Sequence, residues 1–172
     1  MSPQRVGISA TLLLALFVIQ ESFISRIHFP ITGFSLYISV LVALIALEDR
    51  NGSIAMGFIG GIILDLSPTS DSPIGQWALI FTLIGFLISS NLESVGDFAS
   101  TPLSFVLFVS CASALSLVAY LIIGTMLGEN TGSIWRAIVV IFGNFVWTTL
   151  LTPFFLPIVR WVREATLDTW AR

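Results

Sequence analysis

Long apolar stretches broken by short polar connections run along the whole chain. Six segments emerge: about Val6 to Ser25, Phe29 to Leu47, Ile54 to Leu66, Ile74 to Ser90, Pro102 to Leu127, and Ile134 to Ile158. A hydrocarbon core of roughly 30 Å needs about 20 helical residues, so five of these read as membrane spans of adequate or slightly short length. The segment at 54–66 would cover only about 20 Å as a helix, which suits a re-entrant or protein-buried helix as well as a crossing. Three hydroxyl–proline pairs, Ser2-Pro3, Ser72-Pro73 and Thr101-Pro102, predict helix starts, with a capping oxygen ahead of a proline that has no amide to waste. Pro153 and Pro157 fall inside the last segment and predict a kink or an end there, with Thr148, Thr149 and Thr152 at hand to satisfy freed backbone groups. The tail 160–172 is mixed in character and is read as cytoplasmic.

Arginine placement orients the segments. With six spans and the N-terminus inside, Arg5, Arg50, Arg160, Arg163 and Arg172 lie on the cytoplasmic side, and Arg26 and Arg136 outside. If 54–66 failed to cross, the count would fall to three inside against four outside. Cytoplasmic enrichment of arginine therefore favours six crossings with both termini cytoplasmic.

Composition changes the class of protein rather than the elements. Apolar residues make up 56% of the chain and charged residues 10%, well under the quarter or so expected of a soluble domain. That little polar surface predicts one integral membrane domain over 1–172, all-α, solvated by the lipid bilayer. The first segment is read as a retained span rather than a cleaved signal. No basic run points to nucleic acid. Cys111 is the sole cysteine and His28 the sole histidine, so neither a disulfide nor a metal site is expected, and Cys111 is expected to pack in the interior. No nucleophile–base set can be assembled, and no loop is large enough to hold a soluble domain. Neither an enzyme nor a cofactor is expected.

The candidate residues cluster in "GFIGGIILDL". Gly57, Gly61 and Asp65 are four apart, which places them on one helical face with Gly60 alongside. Small residues at this spacing let helix backbones approach closely, so the face is expected to pack on another helix of the same chain or on a partner, or else to line a site for a small ligand. Asp65 has two readings. It is an interfacial carboxylate near water, or it belongs to an outer-side charge cluster drawn from Glu21, Arg26, Asp65 and Arg136. Asn144 and Gln20 are expected to bond across helices, Gln20 with the alternative of facing a cavity.

The stretch resembles the signature of the MreD family of bacterial rod-shape-determining membrane proteins. In that family a GF-x-x-G-x-x-x-D-L helix precedes a short polar loop and a G-x-x-A-L helix opening. The matching positions are Gly57, Phe58, Gly61, Asp65 and Leu66, then Gly75, Ala78 and Leu79. The resemblance implies a six-helix bundle similar to the S components of energy-coupling-factor transporters. It also implies a non-enzymatic scaffold of the cell-elongation complex in the bacterial cytoplasmic membrane. Its partners would be an MreC-like protein, RodA and a class B penicillin-binding transpeptidase, with MreB filaments coupled indirectly. The shared fold leaves a second expectation, a small-solute-binding component of such a transporter. S components carry an AxxxA docking motif in their first helix, whereas here Ala10 and Ala15 are five apart.

Overall fold

A computed structural model describes residues 3–22, 34–67, 73–91, 101–129 and 132–168. Among them all regular structure is helical: α1 (Pro3–Ser22), α2 (Leu36–Leu47), α3 (Arg50–Asp65), α4 (Gln76–Ser90), α5 (Pro102–Met126) and α6 (Ile134–Asp168).

Local chemistry moves several boundaries from their expected places. α2 begins at Leu36, where Ser35 Oγ accepts the amide of Ile38, and residues 29–33 lie outside the described residues. Gln20 of α1 adds a second cap, its Oε1 accepting the Leu36 amide at 2.9 Å. α3 starts at Arg50, four residues early, and its 16 residues extend about 24 Å. Ser53 joins α2 to α3 by donating its hydroxyl to the Ile45 carbonyl, one of the orphans that a helix C-terminus leaves. α4 starts at Gln76, so Pro73 is not its first residue; the Pro73 carbonyl instead accepts the Gln76 amide in a turn. α5 does open on Pro102 behind Thr101, although the Thr101 hydroxyl makes no capping bond.

Of the two outcomes expected at Pro153 and Pro157, a kink or an end, the end is corrected, since α6 runs through both for 35 residues. Proline's fixed φ is itself compatible with a helix, so losing one hydrogen bond at each ring does not terminate it. The threonines do not serve the freed carbonyls of Thr149 and Pro153. Thr149 and Thr152 donate instead to the Phe145 and Thr148 carbonyls of their own helix.

α2 is the axis of the bundle. Tyr37 through Ala46 are all buried, and the helix touches each of the other five. Its sequence, LYISVLVALIAL, is apolar on every side, as a helix surrounded by protein requires. α5 and α6 contrast with it. Each is long and apolar enough to cross a membrane, and in each only 28% of the most apolar stretch is buried within the chain. Leu107, Leu115, Phe142 and Leu150 point outward from them. Cys111 is also exposed on this surface, which corrects the expectation of a packed thiol. Leu103, Leu107, Cys111 and Leu115, four apart, form one outward stripe of α5, so an apolar neighbourhood in sequence did not mean an interior position.

Candidate functional site: the glycine hairpin and its carboxylate cap

α3 and α4 form the most extensive helix pair, an antiparallel hairpin whose contacts are backbone on backbone. A Cβ on Gly57 would overlap the carbonyl of Phe81. One on Gly61 would overlap the Ala78 Cα and lie 2.5 Å from the Trp77 carbonyl oxygen. The pairing is reciprocal, because a Cβ on Gly85 of α4 would sit 2.5 Å from the Ser53 carbonyl oxygen of α3. Real Cβ atoms do not approach so closely, so the two helices lie nearer than any side chain would allow. Gly60 faces the other way. Its bare Cα receives the Leu41 side chain of α2, and its carbonyl accepts the Tyr37 hydroxyl at 2.9 Å. α3 is therefore clasped on two sides by two sets of glycines.

Asp65 is the last residue of α3 and is only 6% exposed. Its Oδ1 accepts the Trp77 amide at 2.9 Å, and its Oδ2 accepts the Ala78 amide at 3.0 Å. These are the second and third residues of α4, whose opening amides have no partner within their own helix. Gly75, in the capping position, has no side chain to offer and adopts φ 101°, a left-handed conformation that favours glycine. A carboxylate from the preceding helix therefore caps α4, where the helix dipole and charge-assisted bonds both favour an anion. The cap also fixes the longitudinal register of the hairpin.

This geometry replaces the reading of Asp65 as a near-water carboxylate, since it is buried. Among the described residues its partners are backbone amides rather than an arginine. Arg136 is exposed at the start of α6, Glu21 lies in the last turn of α1, and Arg26 and His28 lie outside the described residues. Gln20 bonds across to α2, as described above. Asn144 is fully buried, and its Oδ1 lies 3.4 Å from the Thr148 hydroxyl of its own helix. Thr148 then makes the crossing, 2.9 Å from Ser39 Oγ in α2.

Sequence reasoning missed this hydroxyl seam. Thr149 Oγ1 lies 2.9 Å from Ser110 Oγ, a hydroxyl–hydroxyl contact that joins α6 to α5. Ser39, Ser110, Ser113, Ser116, Thr148 and Thr152 are all buried. The recurrence of Ser110, Ser113 and Ser116 along α5, and of Thr148 and Thr152 along α6, at three- and four-residue spacing was the available signal. Gly85, Gln76 and Glu129 were also missed. Beside the seam, a groove of about 540 Å³ opens between Pro102, Leu103 and Val106 of α5 and Thr149, Pro153 and Pro157 of α6. Its wall is almost wholly apolar.

The described residues thus define a helical bundle with a rigid glycine hairpin, a polar internal seam and an open apolar groove. Comparison with protein-family models, with curated proteins and with solved structures returns no match.

Proposed function

We propose that this chain is a multi-pass scaffold of the bacterial cytoplasmic membrane. In this reading it has six spans and both termini cytoplasmic, and it binds an MreC-like protein within the cell-elongation complex. RodA and a class B penicillin-binding transpeptidase would be neighbours in that complex, with MreB filaments coupled indirectly. No turnover is involved. One observation carries the reading: residues that the signature scatters over two segments act as a single unit. Gly57 and Gly61 meet α4, Asp65 bonds to Ala78 and its neighbour, and Gly75 supplies the turn. A motif whose members hold a hairpin in register, with its carboxylate committed to backbone amides, serves architecture rather than chemistry.

The outward apolar faces of α5 and α6 support lipid as the surrounding medium. The groove between them is a concave apolar surface suited to a partner's membrane helix, in which packing supplies most of the association energy. The test is affinity purification of the tagged full chain from a bacterial membrane in a mild detergent. Recovery of an MreC-like protein is expected, and its loss in Leu103→Trp, which fills the groove from an exposed position, is expected alongside unchanged thermal stability. Recovery of a bound vitamin-like solute without any elongation protein would overturn the scaffold and establish the solute-binding alternative.

A further inference from the structure

We propose that the junction between the start of α4 and the end of α5 is a binding site for a small monovalent cation, sodium or potassium. Gln76 is the first residue of α4 and only 3% exposed. Its Nε2 donates to the Tyr120 carbonyl of α5 at 3.0 Å, which commits the amide group to one orientation. Its Oε1 is then a buried acceptor with no donor. A second buried acceptor without a donor is Glu129 Oε1. An oxygen shut away from water without a partner forfeits its hydration, so two such oxygens on neighbouring side chains leave acceptor capacity for a bound ligand.

Both side chains lie beside Gly124. A Cβ there would stand 2.6 Å from Glu129 Oε2 and 3.3 Å from Gln76 Nε2, so the carboxylate and the amide group share one neighbourhood. The backbone places Glu129 there by a Schellman ending. Gly128 takes φ 83° and donates to the Thr125 carbonyl, and the Glu129 amide reaches back to the Gly124 carbonyl at 2.9 Å. Trp77 stacks on Tyr120 with ring centroids 4.4 Å apart, joining α4 to α5 beside the junction.

Charge decides what fits. The end of α5 carries the negative pole of its helix, and no basic residue stands in its last turn. Glu129 adds a carboxylate, and Asp65, one residue from Gln76 through its bond to the Trp77 amide, offsets the positive pole of α4. A cation answers this local excess, whereas a water molecule would satisfy the acceptors and leave the charge. Divalent ions take about six or more oxygen ligands, and among the described residues no three His, Cys, Asp or Glu side chains gather. The site does not depend on any protein partner, so it stands or falls separately from the scaffold reading.

The experiment is thermal unfolding of the full chain in nanodiscs, titrated with sodium chloride, potassium chloride or choline chloride at constant ionic strength. A saturable rise with sodium or potassium and none with choline is expected, reaching about 5 to 10 °C at a hundredfold excess over the dissociation constant. Glu129→Gln and Gln76→Leu should each abolish the cation dependence, while Asp49→Asn, at the α2–α3 junction, should retain it. If either variant fails to fold, sodium-23 relaxation on the wild-type protein, competed by potassium, reads the same site. Equal stability in all three salts, or a cation effect that persists in Glu129→Gln, would overturn the proposal in favour of water or a shared proton.

Discussion

The α3–α4 hairpin and the α5–α6 pair solve the same packing problem in opposite ways. In the hairpin, glycines at 57, 61 and 85 bring backbone against backbone, and a single carboxylate locks the register. In the longer pair, hydroxyls at 110 and 149 bond between helices, while a wide groove is left open beside them. A glycine interface admits no added atom, because the obstacle is main chain that cannot rotate away. A hydroxyl interface tolerates the loss of one bond, because serine and threonine can turn back to a carbonyl of their own helix. The first arrangement leaves no room for adjustment and the second does.

Substitutions should separate the two. Gly57→Ala and Gly61→Ala are expected to have the largest effect, a loss of about 2 kcal/mol in reversible unfolding from mixed micelles, with overpacking outweighing the helix propensity gained. Gly60→Ala provides the internal control. Its added methyl meets the mobile end of Leu41 rather than backbone, so the loss should be smaller. A Gly60→Ala cost equal to that of Gly61→Ala would remove the distinction between backbone and side-chain obstacles.

Asp65→Ala removes both acceptors from the α4 amides and should cost about 2 kcal/mol. Asp65→Asn keeps one acceptor oxygen and should fall between. Hydrogen exchange at the Trp77 and Ala78 amides should quicken in both variants, most in Asp65→Ala, and unchanged exchange would detach Asp65 from the cap. Gly75→Ala places a side chain at φ 101° and should lose about 1 kcal/mol in the same unfolding measurement. The smallest effect is expected in the other pair, where Thr149→Val removes the bond to Ser110 and should cost about 0.6 kcal/mol. A loss there as large as that of Gly61→Ala would show the seam to be as rigid as the hairpin.

Much of this was legible residue by residue. The spacing of Gly57, Gly61 and Asp65 announced a shared face, and apolar runs announced six helical segments. The partners of those residues were not legible. Gly85 sits alone in its segment and gains meaning only opposite Ser53, and Ser39 and Thr148 are 109 positions apart. Asp65 illustrates the limit most directly. A carboxylate at the end of an apolar helix invites an arginine, because charge is the only feature of a partner that sequence displays. Among the described residues its partners are two main-chain amides, which every residue but proline carries and no sequence pattern marks.

By itself, then, the sequence determined that the chain holds six helical segments, though not all their ends, and which faces are small, because periodicity and side-chain size are local properties. Capping at a distance, the burial of α2 at the axis and the outward turn of Cys111 were decided only in three dimensions. So was the placing of Gln76 and Glu129 beside Gly124. Each of these depends on which helix end or face arrives beside another, and that is settled by the packing of the whole bundle rather than by any one segment.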